Sequence, residues 1–276
     1  SFTSRPAWQR FIILGAGVFM NFVLAWIFFS FGSAVGLPQI SDEQSNKIPV
    51  SVVALAPASP AEKSGLKFGD QILEMRSQEI SLRIESEKDI RDFVDAYKGE
   101  EITLLVKRGR EIKEFLATPR ANFPEGEGPL GVALARISVK SVPWYLAPVE
   151  GAKILVRSVG ATVEGLSFIL KEVFFHGKTS VAVSGPVGIF FFAEDTRVLG
   201  LAYFLQFVGM LSVNLAVLNF LPIPALDGGR IFFLAIEKIK GRRIDPKLEN
   251  FIHALGFAFL ILIMILVTYK DVVRIL

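Results

Sequence analysis

Cysteine is missing from all 276 residues. That excludes disulfides, thiolate nucleophiles and cysteine-ligated zinc, and leaves oxygen and imidazole as the donors for any metal. Imidazole is itself scarce, since His176 and His253 are the two histidines. His176 is followed by Gly-Lys-Thr-Ser and His253 by Ala-Leu-Gly-Phe, so neither opens a helix with a second histidine one turn on. His176 reads as a loop histidine and His253 as a packing residue near the start of a helix. Concentrated charge is missing too. The net charge is +3 and the basic residues form no patch interleaved with aromatics, so no nucleic-acid partner is expected. Methionine occurs four times, first at Met20 inside an apolar run. The sequence is therefore expected to be part of a longer or processed reading frame.

What the chain has in excess is apolar residues. They make up 51% of it while 21% are charged, a mixture that implies membrane spans joined to a water-facing domain. Residues 11–31, FIILGAGVFMNFVLAWIFFSF, carry no charge. At about 1.5 Å per residue they are long enough for a hydrocarbon core of roughly 30 Å. The run is too long and too rich in phenylalanine for a cleaved signal, so a retained helix is expected. Residues 200–221 and 251–269 repeat the pattern, broken by Gln206, Asn214, Asn219 and His253. Three spans follow. Arg5 and Arg10 precede the first, and Lys238, Lys240, Arg242, Arg243 and Lys247 lie between the second and third. Short basic flanks stay in the cytoplasm, which places the long section after the first span, and the C-terminal tail, outside it.

That long section reads as a compact soluble domain. IPVSVVAL (48–55) is strand-like, and SPAEKSG (59–65) has Ser59 to cap a helix, Pro60 to start it, Glu62 to complete a capping box and Gly65 to stop it. GDQILEM (69–75) follows; then Ser86 and Asp89 form a second capping box ahead of Ile90, Phe93, Val94 and Tyr97 on one helical face. ITLLVKRGREIKEFLA (102–117) is a strand pair turning at Arg108 and Gly109. The order, with SPAEKSGLKFGDQIL at its centre, resembles a PDZ domain of the bacterial membrane-protease kind over residues 46–120. Such domains bind an extended peptide as an added strand beside the longer helix, here the one starting near Ser86. GPLGVAL (128–134) is a candidate to pair with this sheet.

From Val149 the apolar residues Ala152, Val156, Val159, Val163, Leu166, Leu170 and Val173 recur every three or four positions, interrupted by Lys153, Arg157, Glu164, Lys171 and Glu172. This segment should lie on the membrane surface or pack on the bundle, as a brace or as a gate for substrate.

The second span ends in NFLPIPALDGG, residues 219–229. Read as a turn alone it has a plain account, in which prolines end the span and Asp227 caps the amphipathic segment GRIFFLAIEKIKG. Two features ask for more. Asn214 and Asn219 sit at membrane depth, where an amide needs a specific partner. The rigid Pro-x-Pro also keeps backbone out of helical hydrogen bonding, which a membrane tolerates only inside protein or along a wet cavity. The whole pattern, N-x-x-P-x-P-x-L-D-G-G, resembles the last metal-ligand motif of the site-2 protease family of intramembrane zinc metalloproteases. PAWQRFIILGAGVFMNFVLAW (6–26) is similar to that family's second helix, with Gly17 and Asn21 matching its G-x-x-x-N element, although close helix packing is an equal account of them. SGPVGI (184–189) and residues 203–240 are similar to its third helix and the loop beyond. A PDZ domain between those helices is similar to the bacterial branch that cleaves anti-sigma factors and signal-peptide remnants.

The resemblance implies a polytopic α-helical membrane protein, with three transmembrane helices in this chain and an inserted extracytoplasmic α+β PDZ domain. Residues 1–33 would be the family's second helix, 46–120 the PDZ-like domain, 121–183 a strand and an amphipathic juxtamembrane helix, and 184–276 the C-terminal membrane domain. It implies Zn2+ as cofactor, Asp227 as its carboxylate ligand, and Asn219, Pro222, Pro224, Gly17 and Asn21 around the substrate cleft. It further implies membrane-protein or signal-peptide substrates, peptide termini at the PDZ domain, and a place in the lipid bilayer of the bacterial plasma membrane. The family's H-E-x-x-H helix, with two histidine ligands and a glutamate base, is absent from this sequence. The 276 residues alone are therefore expected to be inactive. The other reading is a non-catalytic, membrane-anchored PDZ module that captures exposed polypeptide ends, in which Asp227 only caps a helix.

Overall fold

The computed structural model describes residues 7–41, 48–78, 80–124, 126–176, 185–241 and 244–275. Arg5, Ser184, Arg242, Arg243 and the side chain of His176 lie outside the described residues. The first elements are helix α1 (Ala7–Val35), strands β1 (Leu37–Ile40) and β2 (Val50–Leu55), helix α2 (Pro60–Lys63), strands β3 (Gln71–Arg76) and β4 (Ser81–Arg83), and helix α3 (Glu87–Ala96). Strands β5 (Ile102–Arg108), β6 (Glu111–Ala117) and β7 (Val132–Lys140) follow. The remainder is helical: α4 (Ala147–His176), α5 (Pro186–Leu199), α6 (Leu201–Phe220), α7 (Asp227–Lys240) and α8 (Pro246–Ile275). Two compact units result, one of Ser1–Ala34, Val142–Phe192 and Leu205–Leu276, the other of Val35–Ser141 and Ala193–Phe204.

In the helical unit, Trp8–Val35, Leu201–Phe220 and Lys247–Val273 are long and apolar enough to cross a membrane. Leu255, Phe257 and Phe259 of α8 stay exposed, a surface suited to lipid and hazardous in water. Inside the unit, small residues bring helices together. Phe29 of α1 is fully buried, and a Cβ on Gly209 of α6 would lie 2.5 Å from its ring, so glycine sets that helix spacing. The membrane-depth amide of Asn214 has its partner: Thr162 Oγ1 of α4 donates to Asn214 Oδ1 at 2.8 Å. Trp26 Nε1 donates to the Pro148 carbonyl at 2.9 Å, so α4 packs on the bundle. The buried carboxylate of Asp271, late in α8, accepts the N–H groups of Gly185 (2.9 Å) and Gly188 (2.8 Å) at the start of α5, completing amides that a helix start leaves unpaired.

The second unit holds a seven-stranded antiparallel sheet of order β1-β7-β2-β3-β5-β6, with β4 on β3. Residues of one sheet face, among them Val52, Ile72, Met75, Ile102, Leu104 and Val106, bury against Ile90, Phe93 and Val94 of α3, with an irregularity in β3 between Ile72 and Glu74. Both helix starts are capped: Ser59 Oγ accepts from Glu62 N, and Ser86 with Asp89 forms a full capping box. Strands β1 and β7 carry the sheet to Leu37 and Lys140, well outside residues 46–120. Asp70, wholly buried, receives a two-pronged bond from Arg108 at 2.7 Å for both contacts. That pairing raises the guanidinium pKa above its usual value, against the opposing effect of burial. The segment Ala193–Phe204 packs on this sheet unit, with Lys67 Nζ 2.6 Å from Asp195 and the Phe68 and Tyr203 rings edge to face at 6.5 Å.

Candidate functional site

Helix α6 stops at Phe220 because Pro222 and Pro224 can supply no further helical N–H. Ile223 N then bonds the Leu221 carbonyl at 2.7 Å, and Leu226 N the Ile223 carbonyl at 3.2 Å. With Pro224 second and Ala225 third at φ +81°, residues 223–226 form a type II turn, whose third position favours glycine. An alanine held there costs about 1–2 kcal/mol, so the turn needs outside support. Helix α8 provides it. Ala225 N–H donates to His253 Nδ1 at 2.9 Å, a bond worth about 0.5–1.5 kcal/mol, and a Cβ on Gly256 would come within 2.6 Å of the Pro224 carbonyl. The His253 ring also packs on Phe233, 5.5 Å between centroids. An accepting Nδ1 puts the proton of the neutral ring on Nε2, and His253 Nε2 is buried without a hydrogen-bond partner among the described residues.

The N-cap of α7 is Leu226, with no side-chain cap, and Asp227 is the first helical residue. This corrects the plain account of the motif, because the Asp227 carboxylate does not cap the helix that follows it. It makes no hydrogen bond or ion pair among the described residues. Next to it, Gly228 and Gly229 are buried. A Cβ on Gly228 would lie 2.5 Å from the Phe220 carbonyl carbon and closer still to the Phe220 and Leu221 oxygens, and one on Gly229 would lie 2.9 Å from the Ile223 carbonyl carbon. The two glycines let α7 start directly on the backbone of the turn.

Gly17 of α1 faces the carboxylate. A Cβ there would sit 3.5 Å from Asp227 Oδ2 and meet nothing else, and Gly17 is exposed. Among the described residues Asp227 is therefore the neighbour this glycine faces. The structure thus brings Gly17 and Asp227 together, with Pro224 in the turn that precedes Asp227. Asn21, one turn along α1, and Asn219, in the last turn of α6, are half-buried, and Pro222 is exposed. Neither asparagine side chain forms a hydrogen bond among the described residues. A catalytic zinc takes three protein ligands and a water. Asp227 fits as one ligand, and no group of three His, Cys, Asp or Glu exists among the described residues, so the residues present fit part of a zinc site. His253 Nδ1 is occupied by Ala225. Its position on the turn was not legible in the sequence, because no periodic pattern ties a residue of α8 to a loop before α7.

A second candidate site lies in the sheet unit, a cavity of about 490 Å3 between α3 and β7, lined by Ile90, Arg91, Val94, Gly128, Leu130 and Leu134. Residues 132–136 of β7 pair with β2 on one side, while β1 pairs only with 137–140. Among the described residues, no strand pairs with the other edge of residues 132–135. The loop before β7 is fixed by Ala61 N to the Leu130 carbonyl (3.1 Å), Gly131 N to the Gly128 carbonyl (3.0 Å) and Arg120 to Glu127 (2.6 Å). Asp89 anchors the start of α3. Burial raises its pKa, but hydrogen bonds from the Glu85 and Ser86 backbone and the Ser86 side chain outweigh this and hold it below the usual aspartate value.

The sequence model of peptidase family M50 matches residues 1–263. The zinc metalloprotease RasP of Oceanobacillus iheyensis is 31% identical over 277 residues, which is 99% of this chain and 62% of that protein. The regulator of sigma-W protease RasP of Bacillus subtilis is 34% identical over 277 residues, 99% of this chain and 61% of that one. The chain thus spans about three fifths of the length of these relatives. Among solved structures, the PDZ domain of the SdrC-like protein from Listeria monocytogenes is 22% identical and covers 31% of this chain and 86% of that one, with a TM-score of 0.27.

Proposed function

This chain belongs to peptidase family M50, and from that membership and the Asp227 turn we propose that it is part of an intramembrane zinc metalloprotease of the site-2 type. The observation that carries this reading is the Asp227 carboxylate, set on a rigid turn at the end of an apolar helix, unused as a cap and faced by the open side of Gly17. Bound there, Zn2+ would lower the pKa of a water toward neutrality and polarise the scissile carbonyl. Asp227 is one of its ligands. The remaining ligands and the general base belong to an H-E-x-x-H segment, which these 276 residues lack, so the chain alone holds an incomplete centre and is inactive.

The chain's own residues supply the cleft. Pro222 and Pro224 keep the backbone after α6 out of a helix, and Asn219 offers an amide that can pair with the backbone of an extended substrate. A substrate span has to leave its own helical hydrogen bonding before its carbonyl can reach Asp227. Its class is a membrane-anchored segment of the anti-sigma-factor or signal-peptide kind, in keeping with the sigma-W regulator among the relatives. The groove between α3 and β7 takes an extended peptide end as an added strand, so the sheet unit is a PDZ-like filter that admits trimmed substrates. The protein sits in the bacterial inner membrane with that unit outside the cytoplasm. Supporting this orientation, Arg10 at the start of α1 pairs with Glu237 of α7 at 3.1 Å, as expected if the basic residues of both helices lie on one face, which the positive-inside rule makes cytoplasmic.

The test uses the protein expressed from its complete reading frame, purified in detergent, with a single-span reporter substrate. Wild type should hold about one zinc per chain and cut the reporter. Asp227→Asn should express normally, lose zinc and lose cleavage. Wild-type cleavage in that variant would remove Asp227 from the site and leave the groove as the functional feature, a peptide-capturing module indifferent to chelators.

A further inference from the structure

We propose that His253 is a positioning residue that locks the turn through Pro224 and Ala225 and thereby sets the direction of the Asp227 carboxylate, a role that rests on Asp227 being the metal ligand. Two non-glycine residues among those described have positive φ, Ala58 at 56° and Ala225 at 81°. In both, a side chain takes the strained residue's amide: Glu62 accepts from Ala58 N at 2.6 Å, and His253 Nδ1 from Ala225 N at 2.9 Å. The first acceptor is local, four residues on. The second comes from another helix, 28 residues on, so the turn does not hold itself.

Helix α8 meets the turn with two residues on one face, since positions three apart are neighbours. His253 supplies the acceptor, and Gly256 supplies the gap into which the Pro224 carbonyl fits. Phe233 of α7 packs on the imidazole, 5.5 Å between ring centroids. Asp227 follows Ala225 by two residues, so a turn that relaxes toward ordinary negative φ redirects the backbone that carries the carboxylate. His253 touches neither metal nor substrate in this role; it acts through the turn.

The absence of cysteine provides the assay. A single thiol at Ile223→Cys, a half-exposed turn position, reports loosening of the turn through its alkylation rate with a maleimide. A second thiol at Val213→Cys, fully buried in α6, reports opening of the helix bundle. His253→Leu keeps volume and removes the acceptor, and should raise the Ile223→Cys rate about tenfold with Val213→Cys unlabelled. His253→Asn places an oxygen near the Nδ1 position and should stay within about twofold of the parent, whereas His253→Gln, whose amide reaches the Nε2 position instead, should behave like leucine. Equal rates for the parent and His253→Leu, or equal rates for asparagine and glutamine, would overturn the proposal. If the leucine variant also exposes Val213→Cys, the asparagine–glutamine pair decides. No metal enters this readout, so it is separable from the Asp227 test. Should His253→Leu loosen the turn yet leave zinc content and cleavage unchanged in the protein from its complete reading frame, the claim that the lock sets the direction of Asp227 is overturned, whereas Asp227→Asn alone decides whether Asp227 is a ligand.

Discussion

Replacing Gly228 with alanine sets two effects of opposite sign against each other. Alanine is favoured over glycine within a helix by up to about 1 kcal/mol, and Gly228 is the second residue of α7. Against that gain, the new Cβ would stand 2.5 Å from the Phe220 carbonyl carbon and nearer to two carbonyl oxygens. Comfortable carbon–oxygen contacts are about 3.3–3.6 Å, so roughly an ångström of movement is required. Every neighbour is backbone, and no rotamer change can relieve it. Overpacking of this kind costs about 1–3 kcal/mol, and three simultaneous backbone overlaps place Gly228→Ala toward the upper end. The net expectation is a loss of about 1–2 kcal/mol, read as a lowered thermal midpoint of the chain in detergent. Gly15→Ala serves as the control, because a Cβ there meets nothing within 4 Å, and it should be neutral or stabilising. In the protein from its complete reading frame, an ångström of displacement at Asp227 should also lower cleavage about a hundredfold. A Gly228→Ala chain as stable as Gly15→Ala would refute the argument that α7 begins in contact with the turn.

The sheet unit offers two further tests. Asp70→Ala removes the carboxylate from the partly buried Arg108 guanidinium, leaving it the Gly65 carbonyl, and should cost up to about 3–5 kcal/mol by chemical unfolding, with much of the loss recovered when Arg108→Met is added; equal costs for the single and double variants would contradict the pairing. The depressed pKa of Asp89 fixes the sign of a pH effect. A carboxyl held lower in the folded state stabilises above its unfolded pKa, and that contribution is lost as pH falls through the folded value. Amide exchange in the first turn of α3 should therefore be slower in wild type than in Asp89→Ala at pH 7, with the gap shrinking once pH drops below the usual aspartate range. A gap unchanged at low pH would mean that ionised Asp89 is not what holds the turn.

How legible this was depended on the reach of the signals. The three apolar helices and both capped helices rest on residues within a turn of one another, so runs and boxes in the sequence located them. The motif at residues 219–229 likewise announced a non-helical end to α6. What stayed hidden requires partners brought together by packing. β1 and β7 pair across about a hundred residues, and no local pattern records it. Asp227 reads as an N-cap by propensity, yet Leu226 takes that place because the turn delivers the backbone one residue earlier. Gly17 reads equally as a packing glycine or a site residue, and its closeness to Asp227, 210 residues away, has no local mark in the sequence. The imidazole of His253 carries no sequence mark of the amide it accepts.

Helix α8 completes structures made before it. It brings His253 and Gly256 to the turn at Pro224 and Ala225, and Asp271 to the amides that open α5. During synthesis, at about 5–20 residues per second, several seconds pass between translation of Asp227 and translation of Asp271. Until His253 and Gly256 are made, the nascent chain carries its proposed ligand on a turn without its α8 contacts, and until Asp271 follows, the first amides of α5 lack their carboxylate. On the proposed lock, the turn that carries Asp227 is translated before the α8 contacts that set its direction, so the order of synthesis separates the ligand from its orientation.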